Sequence, residues 1–266
     1  MESTDYDNIE STGKVGPDLL TCNAHVTLTM YDATKEFPKL FPEEKPTELP
    51  PLRYPLGIMQ NRIDVIPDSH WSPRFSSTYN QFKNQITQKI YTQLQTGRVV
   101  PSRSSNTIGI FPGPKNDKRP EARFQLDCIL RNLVTYEDTT QMSSMRQIMD
   151  FVGSRRLTRK LDLTDGYYYI RIYLESVKDS TFCCQMVKFD SLVMQQGDCN
   201  APATLMRAMN CLSRNIQDLM IYVDDILIAN HSYEEHIKTI RVVIKIAKDN
   251  KLSCNENKCQ CMPARM

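Results

Sequence analysis

Apolar residues recur along the chain with two different periods, and the change of period separates predicted helices from predicted strands. The helical period is clearest ahead of Gly97, a residue suited to a helix C-terminus. The residues on one face of that helix are Tyr79, Phe82, Ile86, Ile90 and Leu94. Further helices are predicted over 143–152 and 201–214 and from Ser232, where Glu235 three residues on completes a capping box.

Short apolar or alternating runs predict the strands. They cover 62–66, 107–111, 122–128, 157–163, 169–173, 181–186, 189–194, 219–222 and 226–229, with a last strand beginning near Leu252. The polar stretch 112–121 is predicted to turn a hairpin with a basic tip. After residue 157 the order is strand, strand pair, helix, acidic hairpin, helix and strand. This order predicts an α+β fold in which helices cover one face of an antiparallel sheet.

Charge is unevenly distributed along the 266 residues, although the net charge is only +2. Residues 1–50 carry ten acidic and four basic side chains, net −6, so residues 1–48 are predicted to be an acidic, disordered arm or linker. Residues 103–160 carry eleven basic and six acidic side chains, net +5. That stretch either forms a solvated face or contacts a polyanion, and charge alone leaves both open.

The composition favours a globular protein of a reducing compartment. Apolar residues make up 40% and charged residues 24% of the chain, and no apolar run is long enough to span a membrane. The N-terminus lacks a signal-peptide core, and nine irregularly spaced cysteines indicate reduced thiols. We therefore expect a cytoplasmic or nuclear protein without a membrane partner.

Two clusters of carboxylates interrupt apolar strands. Asp224 and Asp225 follow Tyr222-Val223 in the middle of an apolar hairpin, and Asp162 ends the run Leu157–Leu163 before a tight turn. Adjacent carboxylates repel each other and resist burial unless cations neutralise them. Brought together in one sheet, they would form an all-oxygen site suited to Mg²⁺. The alternative is that Asp-Asp is an ordinary turn pair and Asp162 a loop acid.

A third feature is the polar, Gly-containing loop 194–200, which leads into a helix beginning Ala201-Pro202-Ala203-Thr204. With the two acidic segments in this order, the chain resembles the reverse transcriptases of Ty3/gypsy-type long-terminal-repeat retrotransposons. The resemblance runs from about Leu49 to the C-terminus. Its motifs are Leu49–Arg53, Arg62–Asp64, Leu161–Tyr167, Asn200–Thr204, Tyr222–Asp225 and the helix segment Glu234–His236.

The resemblance implies a role for particular residues. Asp162, Asp224 and Asp225 would be the catalytic carboxylates and, with the Leu163 carbonyl, would hold two Mg²⁺ ions, for which Mn²⁺ could substitute. The nucleotide-binding residues would be Lys115, Arg123, Leu163, Asp165, Gly166, Tyr167 and Gln196. The partners would be an RNA or DNA template with its primer and deoxynucleoside triphosphates. Asn132 matches a family asparagine.

The same resemblance implies a right-handed polymerase architecture over 49–266. The fingers would comprise mainly 78–156 and 175–195, and the palm mainly 157–174 and 196–266, with thumb, ribonuclease H and integrase absent. Several positions depart from the family pattern: Ile129 replaces an arginine, Asp179 a lysine, and Gln195–Asp198 a Pro-Phe-Gly-Leu run.

The expected function is therefore RNA-directed DNA synthesis, in which deoxynucleotides are added to a primer 3′ end by two-metal phosphoryl transfer. Without a thumb to hold the primer, weak or no activity is expected from the isolated chain. The alternatives are a non-catalytic nucleic-acid-binding remnant of a retroelement and another palm-type nucleotidyl enzyme, such as a cyclase.

Overall fold

The computed structural model describes residues 48–51, 59–73, 80–116, 119–140, 142–255 and 258–263. The predicted acidic arm over 1–48 therefore lies almost wholly outside the described residues, as does the tip of the basic hairpin at 117–118.

The helices are α1 (Lys83–Gln95), the short α2 (Ile129–Asn132), α3 (Met145–Gly153), α4 (Ala201–Ser213) and α5 (Tyr233–Asp249). All except α2, which was not predicted, follow the predicted periodicity closely. Gly97 takes φ +66° just beyond α1, a conformation in which glycine is not strained. The capping box of Ser232 and Glu235 is formed at the start of α5. Short 3-10 helices lie at Asn80–Phe82, Gly166–Tyr169 and Leu174–Ser180.

The strands are short except where they enter the central sheet. In chain order they are β1 (Gln60–Asn61), β2 (Val99–Pro101), β3 (Gly109–Ile110), β4 (Gly113–Asn116), β5 (Arg119–Arg123), β6 (Leu126–Asp127), β7 (Leu157–Asp162), β8 (Arg171–Ile172), β9 (Phe182–Cys184), β10 (Val187–Ser191), β11 (Leu219–Tyr222), β12 (Asp225–Asn230) and β13 (Gln260–Pro263).

The central sheet is antiparallel, with strand order β11-β12-β7-β13. Helices α4 and α5 pack against it and against each other, burying Leu205, Ile240 and Ile244 over Leu161 and Ile228. This is the predicted α+β arrangement. It brings the carboxyl end of β7 beside the start of β12, where the acidic residues lie.

A second apolar cluster forms around Phe182, which is fully buried and makes ring contacts with Phe124 and Phe189 at 6.0 Å and 5.8 Å between centroids. It joins α1 to the small sheet β2-β10-β9 and to the paired strands β3 and β6. The predicted hairpin over 112–121 is present, and its polar residues themselves form the paired strands β4 and β5.

Several predicted strands are displaced or shortened, three of them most clearly. The run 62–66 contributes only a bridge from Val65 to Thr135, while pairing occurs earlier, at β1. The run 169–173 is reduced to β8 because Gly166–Tyr169 coils into a 3-10 helix. The last strand begins at Gln260 rather than near Leu252, which is buried in the core without pairing. An apolar pattern indicates burial, and a buried segment without strand pairing can have the same pattern as a strand.

In the part of the chain that the structure describes, every helix is too short or too polar to cross a membrane.

Candidate active site

A cleft of about 1090 Å³ opens between the two apolar clusters. The predicted site residues that line it are Arg123, Asp162, Leu163, Asp165, Gly166, Tyr167, Gln196 and Asp224. One predicted residue, Asp225, is outside its lining and lies beside it in the strand register. Lys115 belongs to β4, and its side chain falls outside the described part of the structure.

The strand register brings the three aspartates together. Asp225 at the start of β12 is paired directly with Asp162 at the end of β7. The Leu163 N–H donates to the Asp224 carbonyl at 3.0 Å, which extends this pairing by one residue into the turn. Asp162 and Asp224, far apart in sequence, are therefore held at one end of the same sheet by backbone hydrogen bonds.

The turn that carries Asp224 is strained. Tyr222 and Asp225 form the closing pair of a two-residue hairpin loop, and Val223 has φ +54°. A β-branched residue in this left-handed region is an outlier, because its Cβ crowds the following carbonyl. Strain of this kind persists only where the surrounding pairing enforces it, and here β11 and β12 do so from both sides.

Asp224 has a strongly perturbed carboxyl group. Burial, together with the negative charges of Asp162 and Asp225, raises its pKa to about 6. Its Oδ1 atom is buried and has no hydrogen-bond partner among the described residues. A Cβ added at Gly166 would lie 2.5 Å from that oxygen, so only glycine leaves it this space.

Two lysines form ion pairs with the other two carboxylates. The Lys160 Nζ lies 2.7 Å from Asp225 Oδ2, and the Lys258 Nζ lies 3.3 Å from Asp162 Oδ1. Lys258 is 63% exposed, so its ion pair is weak and readily exchanged. Neither lysine was anticipated from the sequence, because nothing in the local pattern distinguishes them from solvated charges.

The donor set fits a hard divalent cation, since it offers carboxylate oxygens, one of them buried and unpartnered. Over the described ranges, no three His, Cys, Asp or Glu side chains already stand in a metal-binding arrangement.

The wall of the cleft next to the aspartates is built from a tight turn. Asp165 has φ +53° and begins the 3-10 helix Gly166–Tyr169, in which the Tyr168 N–H donates to the Asp165 carbonyl at 2.9 Å. Tyr167 is half-buried against the core of the central sheet. Burial and the negative charge of Asp224 together raise the pKa of Tyr167 to about 12, so its ring presents a neutral phenol.

The opposite wall carries the exposed side chains of Arg123 and Gln196. Asn132, matched by the resemblance alone, binds the loop of Gln196: its Nδ2 donates to the Gly197 carbonyl at 2.8 Å, and its Oδ1 accepts from the Cys199 N–H at 3.3 Å. Lys89 of α1 also lines the cleft and was not predicted, although it lies off the apolar stripe of that helix.

The fold and the aspartate cluster define a polymerase of the right-hand type. The structure aligns with the foamy viral protease–reverse transcriptase in complex with RNA/DNA hybrid at a TM-score of 0.73 and 20% identity, over 95% of this chain and 32% of that one. It aligns with the same protein in complex with double-stranded DNA at 0.73 and 19%, over 96% and 50% of the two chains.

Sequence comparison gives the family. Residues 117–265 match the model described as reverse transcriptase (RNA-dependent DNA polymerase), and the chain belongs to this family. It is 27% identical over 204 residues to the retrovirus-related Pol polyprotein from transposon 297 of Drosophila melanogaster, covering 74% of this chain and 19% of the relative. For the transposon Tf2-3 polyprotein of Schizosaccharomyces pombe the identity is 25% over 232 residues, covering 86% and 17%. The chain thus spans under a fifth of these relatives.

Proposed function

We propose that this chain carries the active site of an RNA-directed DNA polymerase of a retrotransposon polyprotein, which extends a primer 3′ end with deoxynucleotides. The observation that carries the proposal is the buried, unpartnered Oδ1 of Asp224, facing the cleft next to Asp162 and Asp225. An isolated carboxylate oxygen in such a position is costly unless a cation binds it.

The residues divide into two groups by the part of the reaction they would serve. Asp162, Asp224, Asp225 and the Leu163 carbonyl would hold two Mg²⁺ ions, or Mn²⁺ in their place. When bound, such ions supply Lewis-acid stabilisation of the charge that develops on the transferred phosphoryl group. Gly166 keeps the space beside Asp224 open, and the backbone pairing of β7 with β12 holds the carboxylates at a common edge.

The second group would bind the incoming deoxynucleoside triphosphate. The Arg123 guanidinium offers planar donors to phosphate oxygens from one wall of the cleft, and the N–H groups of Asp165 and Gly166 begin a tight turn at the facing wall. The Tyr167 ring would lie under the sugar, where its bulk excludes a 2′-hydroxyl. Gln196 would complete the pocket from the opposite wall. Lys115, which belongs to the basic hairpin, would also contact the phosphates of the nucleotide.

The proposed macromolecular partner is a template with its primer. The basic stretch 103–160 includes the hairpin β4–β5 that borders the cleft through Arg123, which supports contact with a polyanion. The foamy viral structures contain double-stranded DNA and RNA/DNA hybrid, and the shared fold supports a similar duplex here.

We further propose that the apolar cluster around Phe182 belongs to fingers over 78–156 and 175–195, and that the central sheet belongs to a palm over 157–174 and 196–266. The seven cysteines whose side chains the structure describes are free thiols, which supports a cytoplasmic or nuclear compartment.

Metal binding is the first test. Wild-type chain titrated with Mn²⁺ is expected to bind it at neutral pH, as followed by electron paramagnetic resonance of the free ion, and Asp224→Asn is expected to weaken binding at least about tenfold. Asp150→Asn is the matched control, since Asp150 is an exposed aspartate of α3. Equal Mn²⁺ affinity in wild type and Asp224→Asn would contradict the proposal.

Template-directed synthesis is the second test. Incorporation of dTMP onto oligo(dT) annealed to poly(rA) is measured with Mg²⁺ or Mn²⁺, and the informative quantity is the difference between wild type and Asp224→Asn. Incorporation that Asp224→Asn leaves unchanged would refute the assigned site. Duplex binding without incorporation, equal in all three aspartate variants, would instead support the non-catalytic alternative.

A further inference from the structure

A buried ion pair lies behind the cleft wall that carries Gln196. Arg131 of α2 and Asp198 form this pair, and their side chains are 1% and 5% exposed. Burial alone would lower the pKa of Arg131, but the charge of Asp198 offsets this and the pKa is raised, so Arg131 stays positively charged. Two buried charges need well-aimed partners on every side to offset their desolvation.

The partners come from distant parts of the chain. The Asn61 Nδ2 donates to Asp198 Oδ2 at 3.1 Å, and the Cys128 Sγ lies 3.7 Å from Asp198 Oδ1. The second terminal nitrogen of Arg131 donates to the Asp179 carbonyl at 3.2 Å. The pair therefore joins β1, α2 and the segment before β9 to the loop that leads into α4.

This loop is held on both sides of Gln196. Before it, Gln195 is buried and donates through Nε2 to the Ser191 hydroxyl. After it, Gly197 has φ +107°, and a Cβ there would lie 3.1 Å from Cys128 Sγ and 3.2 Å from the Leu126 carbonyl. Gln196 itself remains exposed in the cleft, so its direction depends on the buried residues that flank it.

We propose that Arg131 and Asp198 are positioning residues, which orient Gln196 toward the incoming nucleotide by fixing the loop 195–199 against α2. The inference rests on the proposed function, because it needs a nucleotide in the cleft. It also accounts for one position that departs from the family pattern, because Asp198 is a member of the pair.

Nucleotide affinity tests the proposal through a double-mutant cycle. Binding of a fluorescent dTTP analogue with Mg²⁺ is measured for wild type, Gln196→Ala, Asp198→Asn and the double variant, below the lowest melting temperature of the four. Each single variant is expected to weaken binding about tenfold. The double variant is also expected to weaken nucleotide binding about tenfold, not a hundredfold. The reason is that Asp198→Asn already removes the contact of Gln196 with the nucleotide, so Gln196→Ala removes nothing more.

A merely structural pair gives a different pattern. Asp198→Asn would then lower the melting temperature while its effect on affinity multiplied with that of Gln196→Ala, and this result would overturn the proposal. Asp64→Asn is the matched control, since the Arg62–Asp64 pair is 60% and 54% exposed and should change neither quantity. If Asp198→Asn does not fold, Arg131→Lys takes its place in the double-mutant cycle. Lysine keeps the charge but lacks the planar fork that reaches both partners, so the same non-additivity is expected.

Failure of the proposed function gives a separate signal. If wild type does not bind the nucleotide, that function fails at this step, but the loop can still be followed by amide hydrogen exchange. The Cys199 N–H donates to Asn132 Oδ1 at 3.3 Å. Its hydrogen should exchange about tenfold faster in Asp198→Asn if the Arg131–Asp198 pair holds the loop. Unchanged exchange at Cys199 would overturn the positioning role.

Discussion

Gly166→Ala tests the geometry of the aspartate cluster with a single methyl group. The added Cβ would lie 2.5 Å from Asp224 Oδ1 and 3.4 Å from both Asp224 Cγ and Leu205 Cδ2. Leu205 is fully buried in the central core and gives little room on its side. The carboxylate must therefore move.

The size of the movement follows from these distances. An ordinary contact begins near 3.4 Å, so Asp224 Oδ1 must retreat by about 0.9 Å from its position at 2.5 Å. A displacement of this size in a catalytic group costs about a hundredfold in rate. The same overpacking should lower the free energy of unfolding by about 1–3 kcal/mol.

The assay compares Mn²⁺ affinity and primer extension in wild type and Gly166→Ala, at a temperature where circular dichroism shows both to be folded. We expect Mn²⁺ affinity to fall by about tenfold or more, because Asp224 no longer faces Asp162 correctly. Gly153→Ala is the matched control. Gly153 ends α3 with nothing within 4 Å of an added Cβ, so this change should be neutral or slightly stabilising.

One result would refute the reasoning. If Gly166→Ala binds Mn²⁺ and melts like wild type, then the close approach of Gly166 to Asp224 does not constrain the carboxylate, and the cation does not depend on that oxygen.

Three further predictions concern stability. Because its pKa is raised from 3.8 to about 6, Asp224 destabilises the metal-free fold above that range. Asp224→Asn should therefore raise the free energy of unfolding at pH 7.5 by about 1–2 kcal/mol, because solvent screens this partly exposed carboxylate, and the gain should disappear below pH 4, as measured by urea unfolding. Burial lowers the pKa of His236 from 6.5 to about 4, so stability should fall by about 3 kcal/mol as pH drops through that window. Gln185 and Met186 both have positive φ in the turn between β9 and β10, and Met186→Gly should stabilise the fold by about 1 kcal/mol.

Each of these has its own check. The higher free energy of unfolding of Asp224→Asn relative to wild type should vanish when saturating Mn²⁺ is added to wild type. A difference that persists would argue against a cation at this carboxylate. His236→Gln should flatten the acid limb between pH 6.5 and 4, and an unchanged limb would assign acid sensitivity to other groups. The Met186 side chain is 86% exposed, so Met186→Ala should show no gain, and equal stabilisation by both changes would exclude the turn strain as the cause.

The local sequence pattern was sufficient to predict the longer helices. The stripe ending at Leu94 and the capping box at Ser232 fall where the structure has α1 and α5, because the 3.6-residue period and the cap are properties of neighbouring residues. The last strand was placed too early, near Leu252, because Leu252 is buried without strand pairing and Cys254 contributes only an isolated bridge to Leu163. A backbone partner far along the chain decides strand limits.

By itself, the sequence determined the fold class, the family motifs and the identity of the three aspartates, since each rests on a short run of residues. Only the tertiary structure decided how these residues meet: Asp225 opposite Asp162, Gly166 against Asp224, the lysines 160 and 258 on the remaining carboxylates, and Arg131 buried with Asp198. The physical reason is that direct pairing and burial depend on contacts between residues tens of positions apart, for which a single sequence carries no local signal.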